Sequence, residues 1–190
     1  VVAFYEGTPT YWVANAKLAK AKKIAWLHTS TELSQNGKSK SELEKQNKEY
    51  SSFEHIVAVS NDVSKSFTNL FPDQKSRIRV INNPINTEVI RKKATTPINI
   101  DKGEETTFVC IGRLTEAKGY DRWLRVLLNI KNKGYNFTSW IIGGGDSKPY
   151  QEFIDNNNLG ENVKLLGHKE NPYPYIMVAD WVACPSIIEG

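Results

Sequence analysis

The chain has 190 residues, of which 39% are hydrophobic and 24% are charged, with a formal net charge of +4. These proportions are typical of a globular protein and exclude collagen-like and fully disordered chains. Its longest strictly apolar runs, such as residues 56–59, are far shorter than the roughly 18 residues that a membrane span needs. The sequence therefore predicts no membrane-spanning segment.

The first half of the chain alternates short apolar runs with amphipathic or polar segments. The apolar runs predict strands at Val1–Gly7, Lys23–Thr29, His55–Ser60 and Arg77–Asn82. The segments between them predict helices at Tyr11–Ala19, Ser39–Phe53 and Asp62–Leu70. Because the apolar runs are nearly continuous, they indicate strands covered on both faces, as in a parallel sheet with helical crossovers.

Residues 87–106 interrupt this alternation with mixed charges, Pro97 and Gly103, which predicts an interdomain linker. Strands then follow at Phe108–Ile111, Ser139–Ile142, Val163–Leu166 and Trp181–Cys184, with helices at Tyr120–Lys133, Pro149–Asn157 and Tyr173–Val178. We therefore predict two α/β domains, at residues 1–86 and 107–190. Since the chain starts and stops beside predicted core strands, we expect a fragment in which both domains are incomplete.

The charge is distributed unevenly along the chain. Residues 1–100 carry 15 Lys/Arg and 9 Asp/Glu, whereas residues 101–190 carry 10 and 12. The basic cluster Lys17, Lys20, Lys22 and Lys23 is either a solvated face or a peripheral contact with an anionic membrane, worth about 1 kcal/mol per charge. Nucleic acid is not an expected partner, because aromatic residues do not interleave with these cations.

Cysteine and metal-ligand usage point to a reducing compartment and to no metal site. Cys110 and Cys184 both lie in apolar runs, which predicts buried free thiols and a cytoplasmic location. The three histidines are far apart and no Asp-x-Asp pair occurs, so no set of metal ligands is visible.

The strongest functional motif is residues 112–121, Gly-Arg-Leu-Thr-Glu-Ala-Lys-Gly-Tyr-Asp, between a predicted strand and a predicted helix. Ligands of open α/β sheets bind beyond the carboxyl ends of the strands, and helix N-termini attract anions. Arg113 can donate two hydrogen bonds to a phosphate, and Lys118 adds a point charge. The alternative is a solvated loop, and the spacing alone does not decide between the two.

Three further positions carry weaker signals. The glycines at 143–145 allow close approach of a ligand or form a tight turn, and Lys148 stands where the dinucleotide fingerprint needs a glycine. His28 ends a predicted strand and is either structural or part of a site. Glu189 is either a ligand contact or an N-terminal helix charge.

Taken together, these residues resemble the family-4 retaining glycosyltransferases of the GT-B fold, known as glycosyl transferases group 1. The resemblance rests on the motif at 112–121, the strand and glycine loop at 140–145, and Val163–Gly167 in the second half. Lys23–Thr29 and Val80–Asn86 match the acceptor-binding domain, so the likeness covers essentially the whole chain. One departure is Gly144-Gly145-Asp146, where the family often has Glu-Gly-Pro.

The resemblance implies two Rossmann-like domains and transfer of a sugar from a UDP- or GDP-sugar to a hydroxyl of a glycan or lipid-linked acceptor, with retention. It assigns catalytic roles to Arg113, Lys118, Glu189 and His28. It assigns donor binding to Gly112, Arg113, Lys118, Gly143, Gly145, His168, Lys169 and Glu189. It implies no cofactor and no metal. The alternatives are a non-catalytic GT-B-like subunit that binds a glycan or partner, and a sugar-nucleotide epimerase.

Overall fold

The computed structural model describes residues 1–17, 20–35, 37–100 and 102–187. Within them the chain divides into two compact units, Val1–Pro84 and Ile85–Ile187. Each unit is built on one four-stranded sheet in which all the strand pairs are parallel. The predicted fold class, two Rossmann-like α/β domains with parallel sheets, is confirmed.

The first unit has its strands in sequential order, β1-β2-β3-β4. The strands are β1 (Val2–Ala3), β2 (Ile24–Leu27), β3 (His55–Ala58) and β4 (Ile78–Val80). The helices are α1 (Thr8–Asn15), α2 (Thr31–Ser34), α3 (Lys40–Tyr50) and α4 (Asn61–Leu70), followed by a 3-10 turn at Pro72–Arg77. Tyr50 packs edge-on against Phe67, with ring centroids 4.8 Å apart, in the buried core between the helices and the sheet.

The second unit has the strand order β7-β6-β5-β8. The strands are β5 (Thr106–Ile111), β6 (Phe137–Ile142), β7 (Val163–Gly167) and β8 (Trp181–Val182). The helices are α5 (Thr87–Ala94), α6 (Tyr120–Asn132), α7 (Lys148–Asn156) and α8 (Tyr173–Val178), with a 3-10 turn at Glu116–Lys118. All six residues of β6 are buried, because helices cover both faces of this central strand.

Helix α5 lies in the segment that the sequence predicts as a linker. The Asn86 side chain caps its N-terminus by accepting a hydrogen bond from the Val89 amide at 3.0 Å. The helix packs against α8, and the Asn171 side chain donates to the Lys93 carbonyl at 2.9 Å. The prediction missed this helix because Pro97, Gly103 and the mixed charges dominate the composition, whereas the signal for a helix is a short local cap.

The two cysteines differ in environment. Cys110 is fully buried in the core, and burial together with the nearby Cys184 raises the pKa of its thiol to about 12. Cys184 is exposed, so the prediction of a buried thiol was wrong at this position. The reason is that β8 ends at Val182, two residues before Cys184, and among the described strands it pairs with β5 alone.

None of the helices in the described part of the chain is long and apolar enough to cross a bilayer.

Several strands are shorter than their apolar runs, most clearly β1, which covers two of the seven residues predicted. Its edge position explains this, since only one side of the strand has a pairing partner among the described residues.

Candidate functional site

Three loops meet at the carboxyl edge of the second sheet. They are Gly112–Gly119 (the 112 loop), Gly143–Gly145 (the glycine loop) and Gly167–Lys169 (the 167 loop). The Leu114 amide donates to the Gly144 carbonyl at 2.8 Å, and the Gly143 amide donates to the Gly167 carbonyl at 3.0 Å. Backbone hydrogen bonds therefore fix the glycine loop between the other two.

Two glycines of the glycine loop are required by contacts with the 112 loop. A Cβ on Gly143 would collide with the carbonyl oxygen of Gly112. Gly145 has a φ of +131°, and a Cβ there would come within 2.8 Å of the Leu114 carbonyl oxygen. A side chain at either position would separate the loops, so the glycines maintain an edge formed largely by backbone.

The two predicted cations both lie in the 112 loop. Arg113 is exposed, and neither its amide nor its guanidinium makes a hydrogen bond or ion pair with any residue that the structure describes. Lys118 is half-buried, and its methylene groups lie beside Gly112. The loop between them is closed by hydrogen bonds from the Thr115 amide to the Arg113 carbonyl (2.9 Å) and from the Lys118 amide to the Thr115 carbonyl (3.0 Å).

Helix α6 begins directly after this loop. Its N-cap is Gly119, which has a left-handed conformation with φ of +66° and no side chain to cap the helix amides. A Cβ on Gly119 would collide with the Pro185 carbonyl oxygen, and the Ile187 amide donates to the Ala117 carbonyl at 2.9 Å. The segment after β8 is thus packed against the start of α6. Glu189 lies outside the described residues, so its predicted role is not tested.

Tyr120 connects the helix to the loop, and the sequence analysis did not single it out. The residue is 1% exposed, and its hydroxyl donates to the Gly112 carbonyl at 3.0 Å. Its ring packs edge-on against Tyr150, with centroids 5.9 Å apart. The available sequence signal was an aromatic residue with a polar tip at the first helical position after a glycine-bounded loop.

The two residues predicted to meet the base follow β7. His168 is exposed, and its Cβ lies 3.8 Å from where a Cβ on Gly144 would stand. Lys169 is half-buried. The fold therefore brings Arg113, Lys118, His168 and Lys169 to the same edge of one sheet.

A cavity of about 570 Å³ opens at the opposite, amino edge of this sheet. Its lining includes Glu104, Glu105 and Glu161. The hydrogen bond from the Thr138 hydroxyl, at 2.6 Å, lowers the pKa of the Glu105 carboxyl below its usual range, which keeps that group charged. An acidic lining repels phosphate, so the carboxyl edge is the better candidate for an anion.

The carboxyl edge of the first sheet holds His28. One oxygen of the Glu6 carboxylate accepts hydrogen bonds from the backbone amides of His28 (2.5 Å) and Thr29 (2.8 Å). The His28 ring packs against both Phe4 and Tyr5, at centroid distances of 4.7 and 4.8 Å. Its Nε2 is buried and has no hydrogen-bond partner among the described residues. The Glu6 carboxylate thus positions the backbone at His28 and Thr29, a role that the sequence did not indicate.

Two lysines of the basic cluster in the first unit make contacts within the chain. The Lys23 ammonium donates to the carbonyls of Ala14 and Ala16 at the end of α1. Lys22 forms an ion pair with Glu54 at 2.8 Å. These contacts account for two of the four lysines in the basic cluster. Lys17 and Lys20, like Lys22, are exposed.

The described residues contain no group of three or more His, Cys, Asp or Glu side chains that could hold a metal ion.

Comparison with known proteins identifies the type of domain. Residues 91–190 match the family model described as glycosyl transferases group 1. The chain is 28% identical over 141 residues to the uncharacterized glycosyltransferase MJ1059 of Methanocaldococcus jannaschii, which covers 71% of this chain and 34% of that protein.

One more relative and one solved structure of similar fold extend this likeness. One is the N-acetylgalactosamine-N,N'-diacetylbacillosaminyl-diphospho-undecaprenol 4-alpha-N-acetylgalactosaminyltransferase of Campylobacter jejuni, 28% identical over 63% of this chain and 32% of that enzyme. The other is the structure of a TarM mutant of S. aureus with fondaparinux, alpha-GlcNAc-glycerol and UDP. It has a TM-score of 0.68 at 19% identity, over 92% of this chain and 34% of that one. The chain thus spans about a third of the length of these relatives.

Proposed function

Because the chain belongs to the glycosyl transferases group 1 family, we propose that the full-length protein transfers a sugar from a nucleotide-diphosphate-sugar to an acceptor hydroxyl. The observation that carries this proposal is the carboxyl edge of the second sheet. There Arg113 has no described partner, and Lys118 precedes the uncapped N-terminus of α6. Both features favour a ligand with concentrated negative charge.

A diphosphate is the group that fits this edge best. The guanidinium of Arg113 can donate two parallel hydrogen bonds to phosphate oxygens, and Lys118 contributes a compact charge from the end of the same loop. One cation about 4 Å from a phosphate oxygen contributes up to about 4 kcal/mol near a protein surface, before the cost of desolvation. Two cations and the helix terminus can therefore hold a diphosphate without a metal ion.

The same groups would act in the chemical step. The bond between the anomeric carbon and the diphosphate oxygen breaks, and negative charge develops on the departing nucleoside diphosphate. Arg113 and Lys118 stabilise that charge. The acceptor oxygen forms the new bond on the face that the nucleotide leaves, and its proton passes to an oxygen of the departing diphosphate. This sequence retains the anomeric configuration.

Other residues have supporting roles in this proposal. The backbone at His168 and Lys169 meets the nucleotide base, Gly112, Gly143 and Gly145 admit the phosphates, and Glu189 contacts the sugar. For His28 we propose a contact with the donor sugar. The donor is a UDP- or GDP-sugar, and no cofactor takes part.

The acceptor is proposed from the chemistry of relatives. The Campylobacter enzyme, by its name, extends a diphospho-undecaprenol-linked glycan. A glycan or lipid-linked precursor is accordingly the acceptor class that we propose, at the cytoplasmic face of a membrane. Lys17 and Lys20 would supply attraction to anionic lipid there.

Substitution of the two cations in the full-length protein tests the proposal. We expect Arg113→Ala and Lys118→Ala each to lower turnover by about 100-fold or more. Arg125→Ala is the control, because it removes an exposed cation of α6 outside the loop. Normal turnover in both loop variants would defeat the assignment.

Removal of metal ions by a strong chelator is a separate test of the metal-free mechanism. We expect turnover to persist in the chelator, and complete loss of turnover would contradict this mechanism.

Product analysis separates the two alternatives. A sugar-nucleotide epimerase would return an isomerised sugar without any acceptor, and a binding subunit would return the donor unchanged. Transfer of the labelled sugar to an acceptor, with retention, is the result that we expect.

A further inference from the structure

We propose that Tyr120 is a positioning residue, whose hydroxyl holds the Gly112–Arg113 peptide in the orientation that diphosphate binding requires. The inference rests on the proposed function of the 112 loop. It adds a buried, uncharged group that the family match does not assign.

The Gly112 carbonyl is closely surrounded by other groups. On one side, it lies so close to Gly143 that no Cβ could be placed there. On another side, it accepts the hydrogen bond of the Tyr120 hydroxyl at 3.0 Å. The carbonyl is thus enclosed by backbone and held by one side-chain donor.

The planar peptide couples the orientation of the Gly112 carbonyl to that of the Arg113 amide. In a trans peptide the C=O and the next N–H point in opposite directions and turn together. The hydroxyl that fixes the Gly112 carbonyl therefore also fixes the direction of the Arg113 amide. That amide has no hydrogen-bond partner among the described residues, and the Arg113 side chain starts from the same backbone.

The side chain of Lys118 also lies beside Gly112. A Cβ built on Gly112 would lie 3.2 Å from the Tyr120 hydroxyl oxygen and 3.4 Å from both Cδ and Cε of Lys118. The hydroxyl and the lysine stem therefore border the same small space beside Gly112. Tyr120 follows the 112 loop directly in sequence and hydrogen-bonds to its first residue, Gly112.

The ring of Tyr120 is held independently of its hydroxyl. It is buried with Leu124 and Leu127 of α6 and packs edge-on against Tyr150. Removal of the oxygen alone leaves this packing in place. The expected consequence is a freed Gly112 peptide rather than an unfolded unit.

The test uses the full-length protein with Tyr120→Phe, and with Tyr150→Phe as the matched control. Binding of UDP, GDP, uridine and guanosine is measured by calorimetry. Loss of one neutral hydrogen bond predicts about fivefold to tenfold weaker binding of the nucleoside diphosphate in Tyr120→Phe. Binding of the nucleoside should not change, and Tyr150→Phe should match the wild type for every ligand.

A second variant separates positioning from folding. Replacement of Tyr120 by 4-aminophenylalanine restores an N–H donor at the same reach and should restore diphosphate affinity. Equal losses for nucleoside and diphosphate would show a merely structural role, and unchanged affinity in Tyr120→Phe would overturn the inference alone. Wild-type protein that binds neither UDP nor GDP would overturn the proposed function together with it.

Discussion

The carboxyl edges of the two sheets are organised in different ways. In the second unit, loops approach one another through glycines, and the backbone carbonyl of Gly112 is held by the neutral hydroxyl of Tyr120. In the first unit, the Glu6 carboxylate binds the backbone amides of His28 and Thr29. The edge of the second unit keeps one cation, Arg113, without a described partner, whereas the edge of the first unit uses the Glu6 carboxylate to occupy its own amides.

This difference indicates a division of labour. An edge whose amides already bind a carboxylate has little to offer a phosphate, and a second anion there would be repelled. Under the proposed function, the second unit is therefore better suited than the first to hold the charged part of a donor. Three sets of variants test the contacts that hold these units together internally.

The largest effect is expected for Gly143→Ala. The new Cβ would collide with the Gly112 carbonyl oxygen, so the 112 loop must move, at a cost of about 3 kcal/mol. Diphosphate binding should be lost at the same time. Calorimetry and thermal unfolding measure the two losses.

Gly144→Ala is the control for that variant, because among the described residues its Cβ would meet His168 alone, at an ordinary 3.8 Å. We expect a change in unfolding free energy below about 1 kcal/mol for it. Equal behaviour of the two variants would show that the close approach of the loops does not shape the edge.

An intermediate effect is expected for Glu6. Glu6→Gln keeps an acceptor oxygen but loses the charge, so it should destabilise the first unit by about 1 kcal/mol. Glu6→Ala leaves two amides without an acceptor and should cost about twice as much. Chemical unfolding and the KM of the donor are the measurements. If diphosphate affinity fell as strongly as in Arg113→Ala, the proposed division between the units would be wrong.

The smallest effect is expected at the start of β8, and it depends on pH. The Asp180 carboxylate accepts hydrogen bonds from the Lys102 ammonium (2.6 Å) and from the Thr107 amide (2.8 Å), which lower the pKa of Asp180 below its usual value. A lowered pKa in the folded state stabilises the fold above the pKa of the unfolded chain. This contribution disappears as the pH falls through the folded value.

Asp180→Asn should therefore lower the Tm at pH 7, and its difference from the wild type should shrink as the pH falls from about 5 to about 2. Glu152→Gln is the control, since it removes an exposed carboxylate of α7. A Tm difference for Asp180→Asn that stays constant with pH would contradict the role assigned to its charge.

Several features were predictable because they depend on local patterns. Helix α8 begins and ends where predicted, and α4, α6 and α7 do so within one residue. The buried strand β6 follows from a continuous apolar run. The 112 loop was predictable as a unit, since glycine, two cations and a helix start are adjacent in sequence. The roles of its residues stay predictions.

Other features depend on contacts between distant residues. Helix α5 is stabilised by a cap and by packing against α8, and no apolar run announces it. The exposure of Cys184 follows from the edge position of β8, although the residue lies in an apolar run. Glu6 and the His28 amide are 22 residues apart, so no spacing rule connects them.

The two α/β domains and the cationic loop follow from the amino-acid sequence, because periodicity and adjacent motif residues are properties of the chain alone. Which groups hold that loop depends on contacts made in the folded protein. Gly143 and Tyr120 reach Gly112 from a neighbouring strand end and from a helix start. Such contacts exist only after parallel strands have brought their carboxyl ends to one edge.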